Sequence, residues 1–425
     1  MQEMLTYACA SLVVVVLLGV LPQRAAVIGF VRFLRRTPAR TLQTPHLPKA
    51  AILFPIRGAD PQLKECLQAL SAQDYADYQI VIVADDRHDP GIQLVEELRR
   101  GAGADRFQVR VLSQPLNTCS LKNSCLVEAV ASLDDSFSIV AFIDGDIVPH
   151  SRWLSDLCAP LGDPTVGATT GNRWYVPPAP ASYGSLVRRV WNVGAVVQMW
   201  LTGIVWGGSM AMRIDVLRGT GLCDVWRRSM STDSVVTKAI RTHGYRVAFV
   251  PDAVMPVREE VSLDSFRVWM VRQLMMVLLY HPGWKLMFLQ ALSIVSIYFG
   301  SAAIMVCAAT TGAWTHFAVA LSTLLLYCGA GVFDVRQIEG AMNGRRFRAG
   351  DEPFAPRPLA ERLRTPAAVV TAMFVFVASL TEACFRRQIR WRGITYEIRG
   401  ARNIVMTGFR PFESQSLARD LRSVM

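Results

Sequence analysis

Apolar residues along this chain follow two patterns, long uncharged runs near the ends and short bursts in the middle. Met4 to Pro22 contains no charged residue, and a helix of about 20 such residues crosses the roughly 30 Å hydrocarbon core of a bilayer. Arg24, Arg32, Arg35, Arg36 and Arg40 come after it. A cleaved signal peptide carries its positive charge before the apolar core. An uncleaved anchor is therefore expected, with its N-terminus outside and the chain beyond Arg24 in the cytoplasm. Leu286–Ala308 and Phe317–Phe333 are joined by Thr310–His316, which lacks Lys and Arg, and they predict a helical hairpin that dips out and back. Arg336 to Thr365 is Arg-rich and expected on the cytoplasmic side. A fourth run, Ala367–Phe385, contains Glu382 and leads into Arg386, Arg387, Arg390 and Arg392. A full crossing would put those arginines outside, against the charge bias. A re-entrant or interfacial helix, or a tail folded back, fits the same residues. Asn192–Met212 is also uncharged.

Between Lys49 and about Arg258 the pattern changes. Ala50–Ile56, Tyr78–Ala84, Phe107–Leu112 and Ser138–Ile143 are near-continuous apolar strands. Pro61–Ala72, Ile92–Arg100 and Lys122–Leu133 have helical spacing. Alternating strands and helices, with strands apolar on both faces, predict an α/β domain with a mostly parallel sheet covered by helices. The expected divisions are 1–48, anchor and basic linker; 49–260, cytoplasmic domain; 261–285, interfacial amphipathic helix; 286–385, membrane helices; and 386–425, basic cytoplasmic tail.

Composition narrows the class. The 425 residues are 52% hydrophobic and 19% charged, below the roughly 25% charged of soluble globular chains. The apolar content excludes a disordered chain. Net charge is +11, from 45 basic and 34 acidic residues. The arginines flank the uncharged runs, where anionic lipid head groups would meet them. A bilayer, not a nucleic acid, is the partner they imply. The nine cysteines include no C-x-x-C pair, so neither disulfides nor a zinc site is expected.

Ligands of such sheets bind beyond the carboxyl ends of the strands, and acidic residues stand at two of those ends. Asp85-Asp86 follows the second strand; Asp144-Gly145-Asp146 follows the fourth. An isolated D-x-D is commonly a turn or a helix cap. Placed here, two carboxylates one residue apart suit a hard divalent cation such as Mg²⁺ or Mn²⁺. Such a cation would neutralise a departing nucleoside diphosphate. Asp86 lies at the depth of the base or ribose.

These motifs resemble a known family. ADDRHDP (84–90), LKN (121–123), FIDGD (142–146), GGSMAMRIDVL (207–217), STDSVVTKAIRTHGYR (231–246) and WRGITY (391–396) are similar to membrane-bound family-two glycosyltransferases with the GT-A nucleotide-sugar-binding fold, most like ceramide glucosyltransferase. The resemblance runs from about Lys49 through the C-terminal tail. It places the family's three aspartates on Asp86, Asp144 and Asp233, with Asp146 completing the metal motif. The family's (Q/R)-x-x-R-W motif falls on Trp269-Met-Val-Arg272-Gln273, where only the arginine is kept.

Inversion at an anomeric carbon needs a base opposite the leaving group to take the acceptor's hydroxyl proton. Asp233, ahead of the helical stretch Val235–Thr242, is the candidate, and an N-cap is its plainer reading. Lys122 and Arg272 could hold the diphosphate or be surface cations. Gly207 and Gly208 could admit the donor sugar or form only a tight turn. Trp269, Gln273, Trp391 and Arg392 are candidates for acceptor contact or gating; a membrane-surface anchor is the alternative for Trp391-Arg392. His281 reads as structural.

A single crossing by Asn192–Met212 would put Asp144 and Asp233 on opposite sides of the bilayer. That run is therefore expected to be a helix buried in the domain or lying at the interface, like Leu263–Leu279. The resemblance implies metal-dependent transfer of a hexose, UDP-glucose favoured, to ceramide or a similar lipid. A hopanoid, sterol or diacylglycerol acceptor, or UDP-N-acetylglucosamine as donor, fits the same residues. A polysaccharide synthase and an inactive lipid-binding relative are the rival classes.

Overall fold

The computed structural model describes residues 1–38, 47–100 and 104–412. Arg40 and residues 413–425 lie outside them. The helices are α1 (Gln2–Arg36), α2 (Leu63–Ser71), α3 (Pro90–Arg99), α4 (Leu121–Ala131), α5 (Trp153–Cys158), α6 (Tyr183–Thr202), α7 (Ile214–Gly219), α8 (Leu222–Trp226), α9 (Val236–Arg241), α10 (Leu263–Tyr280), α11 (Trp284–Thr310), α12 (Trp314–Arg348) and α13 (Leu359–Phe385). The strands are β1 (Ala50–Pro55), β2 (Tyr78–Ala84), β3 (Phe107–Val111), β4 (Ile139–Ile143), β5 (Val166–Tyr175), β6 (Ser209–Arg213), β7 (Arg246–Val257), β8 (Gln388–Trp391), β9 (Ile394–Gly400) and β10 (Asn403–Thr407).

β1 to β7 form one sheet in the order β3-β2-β1-β4-β6-β5-β7. The pairs β3–β2, β2–β1, β1–β4 and β5–β7 are parallel, whereas β6 runs antiparallel to β4 and β5. The two-residue period of a strand divides each apolar run between two cores. Leu53, Val81, Val83 and Phe142 face one cluster, which contains Phe30 and Leu34 of α1. Ile52, Phe54, Ile80, Ile82 and Ile143 face the other, with Leu67 of α2 and Trp153 of α5. Both faces are covered, which is why the strands are apolar throughout.

Among the described residues, four helices are long and apolar enough to cross a membrane: α1, α11, α12 and α13. Three of them make a bundle. α1 and α12 run parallel and in register, from Thr6 Oγ1 against His316 Nε2 at 3.0 Å, through the Arg24–Asp334 ion pair, to Arg345 donating to the Thr37 carbonyl at 2.7 Å. α11 runs the opposite way, with Ile304 and Ala308 beside Leu5, Cys9 and Leu12. α13 behaves differently. Near its start, Glu361 Oε1 accepts from the Ala181 amide at 3.0 Å; near its end, Glu382 pairs with Arg267 of α10. Six residues after Phe385, the chain is at Trp391 against the α/β domain. That segment reaches at most about 21 Å, less than the roughly 30 Å of hydrocarbon. Both ends of α13 are thus on the domain side, and the helix packs on α6 and α10, with Met373 and Phe374 against Tyr298 of α11. The conflict over Arg386, Arg387, Arg390 and Arg392 disappears, because these residues share the side of Arg24 and Arg336.

Three other expectations change. The Asn192–Met212 run belongs to the domain, as expected, but it is not one helix: it comprises the end of α6, a turn at Gly203 (φ +70°), and strand β6 in the sheet. α10 is not a lipid-facing surface helix along its length, since Phe266, Met270, Val271, Leu274 and Met275 are buried between α6 and α13. The basic tail is a folded element. β8, β9 and β10 form an antiparallel sheet, burying Ile389, Ile394, Tyr396, Ile398 and Ile404 in the main core and docking through Met406 N to the Asn117 carbonyl at 2.7 Å.

Candidate active site

The site forms at the carboxyl ends of β1, β2 and β4. Because β6 is antiparallel to β4, its amino end also arrives there and carries Gly207-Gly208 to the Asp144-Gly145-Asp146 turn. The approach at Gly208 is close. A Cβ on it would lie 2.3 Å from the Trp206 ring and 2.8 Å from Asp144 Oδ2, so only glycine fits. The pair forms a tight turn, closed by the Ser209 amide on the Trp206 carbonyl at 3.1 Å, and that turn passes close to Asp144.

Asp233 is held at the same place. Its Oδ2 accepts from the Gly207 amide at 2.9 Å. Its Oδ1 accepts from Ser231 Oγ and the Ser234 amide, each at 2.7 Å. α9 begins at Val236 with no side-chain cap, so the carboxylate is not an N-cap. Oδ1 is saturated, while Oδ2 keeps a lone pair for a proton. The loop bearing Asp233 is fastened to α4 by Asn123, which is fully buried. Asn123 Oδ1 accepts from Thr232 Oγ1 at 2.6 Å and its Nδ2 donates to the Ser229 carbonyl at 2.9 Å.

Lys122, one position earlier on α4, pairs with Asp144. Burial works to raise the Asp144 carboxyl, but the Lys122 ammonium outweighs it and holds Asp144 below the ordinary carboxylate range. Asp146 moves the other way. Water reaches its side chain, yet the surrounding cleft, and then the Asp144 charge, push it above the usual value. Two crowded carboxylates of opposite tendency suit a hard cation. Among the described residues no group of three or more metal-binding side chains is assembled. Two carboxylates with diphosphate oxygens and water completing the shell match the way Mg²⁺ is commonly held. Asp144 and Asp146 therefore fit the group.

The other predicted residues divide. Arg272 and Trp391 face each other at 5.9 Å, and Arg392 donates to both oxygens of Asp60 at 2.9 and 2.7 Å. Arg392-Gly393 is the two-residue tip of the β8–β9 hairpin, with φ of +48° and +78°, the conformation of a type I′ turn. The tail motif is thus at the site, not a membrane anchor. Burial, followed by the charges of Arg173 and Arg392, disfavours the Arg272 charge, a strain that an anionic ligand would relieve. Trp269 lies over Arg173 at 5.5 Å and edge-on to Trp191. Gln273 shares their helix face and hydrogen-bonds no described residue. Asp86 is at the rim, its Oδ1 accepting from the His88 amide at 2.7 Å. Asp85 beside it is buried against Arg57. His281 closes the turn after α10, where its Nδ1 accepts from the Gly283 amide at 3.1 Å.

Three site residues were missed by the sequence reading. Asp60 and Arg57 follow β1, and the strand-end rule that found Asp144 would have found them. Arg173 lies mid-strand in β5 under Trp206 and Trp269; its only signal was one charge in an otherwise buried strand.

The family model described as Glycosyl transferase family 21 matches residues 11–404. The chain belongs to that family. It is 38% identical over 74 residues to a ceramide glucosyltransferase of Komagataella phaffii, a stretch covering 17% of this chain and 14% of that protein. It is 22% identical over 253 residues to the probable glycosyltransferase YdaM of Bacillus subtilis, covering 56% of this chain and 57% of YdaM. The chain thus spans 14% and 57% of these relatives' lengths. Among solved structures, the Pyrobaculum calidifontis mannosyltransferase PcManGT, in complex with GDP-Man and Mn²⁺, superimposes with a TM-score of 0.48 at 17% identity, covering 88% of this chain and 99% of that one.

Proposed function

We propose that the protein is an inverting glycosyltransferase that moves a hexose from a nucleotide-diphosphate sugar to the hydroxyl of a membrane lipid. The observation that carries this reading is the convergence of Asp233 Oδ2, the Gly207 amide, Gly208 and Asp144 at one point. A base and a diphosphate-binding turn on either side of a glycine-lined space are what inversion requires. The acceptor oxygen bonds to the anomeric carbon as the bond to the diphosphate breaks, and Asp233 Oδ2 takes the acceptor's proton. Lys122, Arg173 and Arg272 stabilise the departing charge, and Asp86 contacts the nucleoside. Asp144 and Asp146 would hold Mg²⁺ or Mn²⁺, which supplies charge neutralisation at the leaving group. Trp269, Gln273, Trp391 and Arg392 line the acceptor side.

A lipid acceptor is supported by the place of the site. The Met230 amide, three residues before Asp233, donates to Tyr280 Oη at 2.8 Å, and α11 starts four residues later at Trp284 with Leu286, Leu289 and Leu292 exposed. UDP-glucose and ceramide are the favoured pair, in line with the ceramide glucosyltransferase relative. The domain faces the cytoplasm, because the arginines gather on its side of the bundle. Asp233→Asn is close in shape and removes the base, while keeping an acceptor oxygen for only one of the Gly207 and Ser234 amides. It is expected to bind UDP-sugar as the parent does and to lose transfer by about 10²–10⁴-fold. Unchanged turnover would remove Asp233 as the base.

A further inference from the structure

Away from the catalytic cleft, a cavity of about 460 Å³ opens between α6, α12 and the start of α13. Its lining includes Arg189, Arg336, Arg357, Arg362, Glu339 and Asn343. Glu339 is held twice, by Arg189 Nε at 3.1 Å and by Arg357, and Arg357 also donates to Thr365 Oγ1 at 3.2 Å. Arg189 is only 7% exposed. Among the described residues neither Arg336 nor Arg362 has a carboxylate partner; Arg362 Nε donates only to the Arg357 carbonyl at 2.9 Å. Four guanidinium groups therefore line the cavity around the Glu339 carboxylate, and Glu361 acts on Arg189 from beyond the lining. Burial, partly opposed by Glu339, holds Arg189 below its ordinary value.

The depth of this cavity is fixed by the bundle. α1 is uncharged from Met4 to Gln23, and α12 carries no Asp, Glu, Lys or Arg from Trp314 to Phe333. The first charges after these runs, Arg24 and Asp334, pair with each other and mark the hydrocarbon edge. Arg336 comes two residues further, about 3 Å along the helix. The cavity thus opens in the head-group layer. Leu359 and Leu363, 69% and 72% exposed, flank Arg362 on α13 where acyl chains would lie.

We propose that this cavity binds the phosphate of an anionic membrane lipid, with Arg336 and Arg362 as its mouth and Arg189 and Arg357 as its floor. The four cations match the acceptor oxygens of a phosphodiester, and bidentate guanidinium contacts suit phosphate. The site is separate from the transferase cleft and does not depend on the proposed reaction. The test is titration of the purified full-length protein, in neutral detergent, with short-chain phosphatidylglycerol and separately with inorganic phosphate, with binding read by native mass spectrometry. The parent should retain phosphatidylglycerol in preference to phosphatidylcholine. Arg336→Ala with Arg362→Ala should bind it about thirtyfold less, two contacts of about 1 kcal/mol each, and Arg336→Lys with Arg362→Lys should restore most of the binding. Retention of inorganic phosphate that is lost in the alanine pair, without retention of the lipid, would support the anion site with a soluble source. Equal binding of phosphatidylglycerol by parent and alanine pair, or no binding of either anion by the parent, would overturn the proposal. Both side chains are exposed, so the alanine pair is expected to fold, and an unchanged melting temperature without lipid confirms that it has.

Discussion

Gly208→Ala adds a single methyl group where the Trp206 ring, the Asp144 carboxylate and the start of β6 meet. The new Cβ would stand 2.3 Å from Trp206 Cζ2 and 2.8 Å from Asp144 Oδ2, about 1.1 and 0.6 Å inside the 3.4 Å at which ordinary contact begins. Trp206 has little room to retreat: it is 5% exposed and lies under the Arg173 guanidinium at 4.8 Å. The strain must therefore pass to Arg173 or to the Asp144–Lys122 pair, both of which belong to the site. Overpacking of this kind costs about 1–3 kcal/mol, a fall of several degrees in Tm at roughly 2–4 °C per kcal/mol. The larger effect should be on turnover, because a displacement of about 1 Å at reacting groups costs on the order of 10²-fold. The assay is the transfer rate of purified protein beside its thermal melt. Gly207→Ala, with its nearest atom at 3.3 Å, should be milder, and Gly219→Ala, with nothing within 4 Å, should behave as the parent. Parental turnover and melting in Gly208→Ala would refute the claim that this glycine sets the approach of donor to Asp144.

Further outcomes follow from other contacts. Asn123→Ala removes the side chain joining α4 to the Ser229–Thr232 segment, leaves buried polar groups unpaired, and should cost about 1–3 kcal/mol of stability per group; a turnover loss greater than the rise in KM would mark it as a positioning residue for Asp233. Arg57→Ala strands the buried Asp85 carboxylate and releases the carbonyls of Arg392 and Arg410. It should destabilise by about 3–5 kcal/mol, measurable by thermal melt, whereas a shift of under a degree would show that the pair is not structural. Chelation of divalent metal should stop transfer while leaving the fold intact by circular dichroism, and full activity in excess chelator would count against the cation role of Asp144 and Asp146.

Some of this was legible in the sequence for a physical reason. A parallel sheet presents its strand ends to the ligand, so the positions of Asp86, Asp144 and Asp146 follow from the strand pattern alone. The three bundle helices were legible because hydrocarbon demands uncharged runs. α13 was not, since the same hydropathy serves a helix that crosses and one that lies over α6 and α10; the contacts of Glu361 and Glu382 decide between them. The tail sheet hid behind its arginines, although Ile394, Tyr396 and Ile398 alternate with Thr395 and Glu397 as a half-buried strand should. Arg173 was out of reach, because its meeting with Asp144 and Asp146 depends on β5 lying two strands from β4.

The central claim is tested most directly by product identification. Purified protein in nanodiscs containing candidate lipids would be given radiolabelled UDP-glucose and, in parallel, UDP-N-acetylglucosamine. The account predicts label in a lipid carrying one sugar, of inverted anomeric configuration, absent from Asp233→Asn. Label in a polymer, or none in lipid from any donor while Asp144 and Asp233 are intact, would contradict it.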